Sequence, residues 1–155
     1  MRTEHTVRFS RLHEEQADAI KELYVRLVHA ESALQQAADP MRKPEDFHSA
    51  LKSAAETGNL FRKSFTENRI LFSEELADLV DSIWRQLKEA YYGIEDWQNA
   101  LDSPPPSRAS GSPDRIAVAR RIMKTDLPEL KSKMETEFRQ ILGVPSQTIH
   151  LPSKR

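Results

Sequence analysis

From Leu76 to Leu101 the chain repeats apolar residues at alternating four- and three-residue steps: Leu76, Val80, Ile83, Leu87, Ala90, Ile94, Trp97 and Leu101. An α-helix turns once in about 3.6 residues, so this spacing draws one unbroken apolar stripe along a single rod. Such a rod must pack lengthwise against other helices to remove its stripe from water. A pleated strand, which changes face at every residue, does not fit this period.

Three further segments carry related stripes. The first runs through Ile20, Leu23, Leu27, Ala30, Leu34 and Ala37, with Tyr24 and Val28 broadening the face. Phe9 and Leu12 extend it toward the N-terminus, with Gln16 and Ala19 at the intervening turn. The second holds Phe47, Leu51, Ala54, Gly58, Phe61 and Phe65. The last holds Ile116, Ala119, Met123, Leu127, Leu130, Met134, Phe138 and Ile141.

Breakers and caps separate the four. Asp39-Pro40 stops the first helix, because proline constrains its predecessor and lacks an amide proton. Pro44, followed by Glu45 and Asp46, suits a helix start. Ser73 is an N-cap, with Glu74 and Glu75 at the positive end of the helix dipole. Gly143, with Pro145 beyond it, is a stop signal. Ser103 to Pro113 (SPPPSRASGSP) reads as a flexible linker, with a proline-motif ligand as its less favoured reading. Helices are thus expected at about 8–38, 44–67, 73–102 and 114–142, with a linker at 103–113 and a mobile tail at 145–155.

The expected fold is all-α: an elongated, antiparallel four-helix bundle forming one domain over residues 1–144, its last helix kinked or broken near Pro128. Gly58 is expected to admit a neighbouring helix closely. The helical pattern begins so near Met1 that a continuation upstream, in a longer and even membrane-tethered protein, is an expectation of this reading.

Composition narrows the chemistry. The 155 residues include no cysteine, which removes disulfides, thiolate metal sites and cysteine nucleophiles together. No apolar run reaches the roughly 20 residues of a membrane-spanning helix, and no signal-peptide pattern opens the chain, so a soluble, cytoplasmic protein is expected. The net charge is −1 but uneven: Ser73 to Asp102 carries eight acids against two bases, and Ser103 onward ten bases against five acids. Pairing between the third and fourth helices accounts for this asymmetry without an external partner. The basic residues Arg115, Arg120, Arg121 and Lys124, and Arg62, Lys63 and Arg69, therefore do not call for a specific nucleic acid.

The four glycines are isolated, so no phosphate loop exists, and no serine sits with a histidine and an acid in a recognisable constellation. No cofactor and no metal site are assigned. The nearest metal candidates are Glu45 and His48, whose Glu-x-x-His spacing occurs twice in di-metal carboxylate bundles but once here, with Glu22 and Glu31 as the only further donors considered. His29 reads as a structural histidine at the core boundary; His5 and His150 lie near the termini. Trp84 and Tyr92 sit off the main stripe and read as core-boundary residues, with an exposed contact patch as the alternative.

Arg8 and His13 (RFSRLH) have the bare spacing of the arginine–histidine motif of HEPN-type ribonucleases, which are also all-α. The resemblance implies an arginine that stabilises phosphate charge and a histidine that handles a proton. Phe9 after the arginine departs from that family's pattern, which favours a polar residue there. A broader resemblance rests on RFSRLHEEQADAIKELYVRLVHAESAL (Arg8 to Leu34), NRILFSEELADLV (Asn68 to Val80) and LPELKSKMETEFRQILGV (Leu127 to Val144). Together these resemble a widespread type of uncharacterised bacterial helical protein, some of it membrane-tethered. That resemblance implies the bundle fold and brings neither an activity nor catalytic residues. The expected function is a non-enzymatic protein–protein interaction or structural module, through a protein partner or self-association. A HEPN-like ribonuclease using Arg8 and His13 is the first alternative, and a small-ligand-sensing bundle the second.

Overall fold

The computed structural model describes residues 2–102 and 113–144. It is an all-α four-helix bundle: α1 (Arg2–Ala37), α2 (Phe47–Asn68), α3 (Glu74–Asp102), and a fourth rod made of α4 (Pro113–Arg121), a π-helical turn (Ile122–Asp126) and α5 (Leu127–Leu142). No strand occurs among the described residues. The linker expected at 103–113 lies outside the described residues except for Pro113, which opens α4; the tail at 145–155 lies outside them entirely.

Neighbouring rods run antiparallel in a closed ring. Gln16 of α1 donates to the carbonyl of Leu71, in the turn after α2, at 3.0 Å. Arg62 of α2 donates to Asp81 of α3 at 2.8 Å. Gly93 of α3 faces Arg115 and Ala119 of α4. Tyr24 of α1 donates to Glu135 of α5 at 2.7 Å, while Glu31, two turns on, meets Lys131, one turn back.

The four stripes form one core. Leu23, Leu27, Phe61, Leu76, Val80, Ile83 and Ile94 are completely enclosed, each worth about 1.5–3 kcal/mol of transfer free energy. Alanines line the α1–α2 seam (Ala30, Ala33 and Ala37 against Ala50 and Ala54), and this is the most extensively packed pair of helices. The stripes overreach at their edges: Leu12, Val28 and Leu101 are exposed, and so is His29. Trp84 packs on the core, whereas Tyr92 is exposed.

The caps follow local chemistry. Ser73 Oγ accepts the amide of Leu76, the third residue of α3, at 3.2 Å. Pro44 opens a 3₁₀ turn (Pro44–Asp46) that leads into α2, so the expected start at 44 is tightened before it becomes α-helical. Gly143 adopts φ 68°, and the amides of Gly143 and Val144 return to the carbonyls of Gln140 and Arg139. That bonding is a Schellman motif, which requires the left-handed conformation.

One expectation needs correction: the first helix begins at Arg2, not near residue 8. The break expected near Pro128 is present as a π-helical turn at Ile122–Asp126, just ahead of the proline, where Leu127 N–H reaches back five residues to the Ile122 carbonyl. Proline lacks a donor, and its ring would press on the carbonyl four residues earlier; the wider π turn relieves both problems. The extra residue shifts the stripe, so Ile122 is enclosed and Met123 only half-buried.

Candidate functional site

Arg8 and His13 both lie on α1, N-terminal to Gln16, which bonds to the turn after α2. Five residues on a helix amount to about 140° of rotation, so the two side chains leave from different faces of the rod. Arg8 is exposed and His13 half-buried. Glu45 lies in the 3₁₀ turn and His48 in the first turn of α2; both are exposed, and the His48 ring lies edge-on to its neighbour Phe47. Among the described residues no three His, Asp or Glu side chains gather closely enough to hold a metal ion. Glu22 is exposed, and Glu31 faces Lys131 rather than the Glu45–His48 turn.

The charge asymmetry is partly absorbed inside the bundle. Asp96 pairs with Arg115 of α4 and Asp81 with Arg62 of α2. Arg120 lies over the Trp97 ring at 5.7 Å, and Arg62 over both Phe65 and Trp84. Glu74, Glu75 and Asp78, at the start of α3, are exposed and form no ion pair among the described residues. Glu89 and Asp102, further along α3, are likewise exposed and without an ion pair among the described residues, so the unpaired acids are spread along the helix, three of them at the bundle end by the α2–α3 corner.

That same end carries α1 past the corner. The α2 backbone turns at Leu71, level with Gln16, so the turns from Arg2 to Glu15 run beyond α2 and the start of α3. Val7 (65% exposed) and Leu12 (47%) lie on this arm, and Ile70 (90%) lies on the corner beside it.

Two interior features were not read from the sequence. Between α1 and α5, Tyr24, Glu31, Lys131 and Glu135 form a polar cluster: Lys131 Nζ donates to Glu31 Oε2 at 3.3 Å and lies over the Tyr24 ring at 5.6 Å. Glu31 Oε1 is buried with no hydrogen-bond partner among the described residues. Burial pushes the Glu31 carboxyl above its ordinary value, Lys131 opposing and Glu135 reinforcing the shift. Its bond to Glu135, then burial, push Tyr24 up to about 12.

The second feature is a cleft of about 210 Å³ between α2 and α3, reaching Ala30 and Leu34 of α1. Gly58 lies on its α2 wall. A β-carbon there would meet the Trp84 ring at an ordinary 3.7 Å, so Gly58 does not serve a close helix approach as expected. Gly93 does: a β-carbon on it would fall 2.7 Å from the Arg115 carbonyl oxygen.

No protein-family model, curated protein or solved structure matches this chain. No described helix is long and apolar enough to cross a membrane.

Proposed function

We propose that the protein is a contact-making structural module that associates with a second copy of itself through the first four turns of α1. The observation that carries this reading is the stretch of α1 before Gln16, an extension of a core-forming helix on which every described side chain is exposed except the half-buried His13. Leu12 gives it apolar contact, with Ile70 at the corner and Val7 about 140° round the helix on another face.

From Arg2 to Glu15 the arm holds three arginines (Arg2, Arg8 and Arg11) and three glutamates (Glu4, Glu14 and Glu15), so it carries no net charge to oppose an identical arm. Two antiparallel arms set Arg8 and Arg11 of each copy against Glu14 and Glu15 of the other. The arrangement is isologous and closes as a two-fold dimer.

Sedimentation velocity at low salt tests this directly. The expected result is a concentration-dependent dimer that weakens as salt rises. Leu12→Glu should shift it at least tenfold toward monomer without changing the circular dichroism melt, since Leu12 is outside the core. A protein that stays monomeric to several hundred micromolar at low salt would sink the proposal. The ribonuclease alternative keeps its own test, RNA cleavage lost in His13→Ala.

A further inference from the structure

The cleft between α2 and α3 has the construction of a ligand chamber, and its origin is visible in the two helices. On α2, Ala54, Ala55 and Gly58 leave the wall almost without side chains. On α3, Trp84, Leu87, Lys88 and Tyr91 follow steps of three, one and three, and therefore share a face. The floor is the enclosed pair Ala30 and Leu34 of α1.

The Trp84 wall of the cleft is fixed by its neighbours. The ring already lies against Gly58, 3.7 Å from where a β-carbon would sit. Arg62 lies over that ring at 5.9 Å and is itself tied to Asp81 at 2.8 Å, so the indole is held on one side. Lys88 Nζ holds another part of it, at 5.8 Å from the ring centre. These are cation–π contacts, each worth about 0.5–1 kcal/mol at partly exposed sites.

The lining chooses a chemical class. The interior is aromatic and aliphatic, and apolar cavities of about 150 Å³ already accept a benzene ring. At the mouth Lys88 is exposed and pairs with no carboxylate among the described residues. Asn59 and the exposed Tyr92 add hydrogen-bonding groups at the rim. Glu89, the acid next to Lys88, lines the adjoining recess with Arg115, whose charge is already met by Asp96.

We infer that this cleft binds a small apolar carboxylate, its ring or chain against Trp84, Leu87 and Leu34 and its carboxylate at Lys88. The site is separate from the α1 arm, so it stands or falls independently of self-association. Size sets the upper limit: one ring with a short chain fills the chamber, whereas a long-chain lipid does not fit within it.

The test uses the two tryptophans. Trp97→Phe leaves Trp84 as the sole indole, and its emission is followed during titration with 4-phenylbutyrate and with the neutral 4-phenylbutan-1-ol. The acid should saturate with Kd on the order of 10⁻⁴ M, the value ordinary ligand efficiency gives for a molecule of this size. The alcohol should bind about threefold more weakly, as expected for one exposed charge pair. Lys88→Gln should bring the acid to the alcohol's affinity, and Ala55→Phe, which fills the chamber from its half-buried wall, should abolish both. In the unaltered protein, nuclear Overhauser effects from the phenyl protons should reach the Leu34 and Leu87 methyls, a readout that needs no variant to fold. No saturable change, contacts elsewhere in the bundle, or acid and alcohol binding equally well would each overturn the assignment.

Discussion

Helix α3 packs against two neighbours through a glycine, with opposite outcomes. On one side Gly93 lets the α4 backbone come so near that a β-carbon would strike the Arg115 carbonyl at 2.7 Å and the Ala119 methyl at 3.1 Å. On the other, Gly58 of α2 faces the broad ring of Trp84, and the missing side chain leaves a cleft. A glycine in a helix costs about 0.5–1 kcal/mol relative to alanine wherever it sits. What offsets that cost is decided by the facing helix: backbone contact in one seam, open volume in the other.

The sharpest way to break this contrast is Gly93→Ala. The obstructing atom is a backbone oxygen within α4, which cannot rotate away as a side chain would, so α3 and α4 must separate. The expected loss is about 1–3 kcal/mol, the usual range for overpacking. In a chain of this length that lowers Tm by about 3–9 °C. An unchanged Tm would mean that the close α3–α4 approach does not hold in solution.

Gly58→Ala should act in the other direction, with a smaller effect. Its β-carbon has room at 3.7 Å from Trp84 and requires no backbone shift. Helix propensity then dominates, giving a gain of about 0.5–1 kcal/mol, or about 2–3 °C in Tm. A destabilised Gly58→Ala would show that the cleft is narrower than described. Together the two variants separate a packing glycine from a chamber glycine by opposite signs in one thermal melt.

The same contrast explains how far sequence reasoning reached. The α3 stripe is buried from Leu76 through Ile94, with Trp97 half-buried and only Leu101 escaping at the helix end. The Ser73 cap and the Gly143 stop are where their chemistry requires, since both depend on neighbours within a few residues. Gly58 and Gly93 look alike in sequence, because the atoms that distinguish them belong to Trp84 and Arg115. Ile122 replaces Met123 in the core because one π turn adds a residue that a regular helical period does not contain. For the same reason the cleft was illegible: its existence depends on which α2 residues face which aromatic of α3. Arg8 with His13, and Glu45 with His48, are matched by spacing along the chain alone; among the described residues neither pair belongs to a group of three His, Asp or Glu side chains able to hold a metal ion.

A third seam, between α1 and α5, sets a charged cluster beside the Tyr24–Phe138 ring contact, and its effect on stability should be the smallest and depend on pH. Glu31 is largely shielded from water, with one oxygen on Lys131 and the other without a partner among the described residues. Burial is the largest cause of its raised value, outweighing the attraction of Lys131. A carboxyl whose folded value lies above the unfolded one stabilises the fold most when protonated. That contribution is complete below the ordinary value of 4.5 and is lost as pH rises through the raised value. Most surface carboxylates in ion pairs behave in the opposite way. Glu31→Gln keeps the shape and removes the titration, so its stability relative to wild type should improve as pH goes from 4 toward neutrality. Urea melts at several pH values measure that difference. A difference that is flat, or that increasingly favours wild type at higher pH, would mean that the Lys131 pair governs this seam and that charge is as well accommodated there as the apolar contacts are elsewhere.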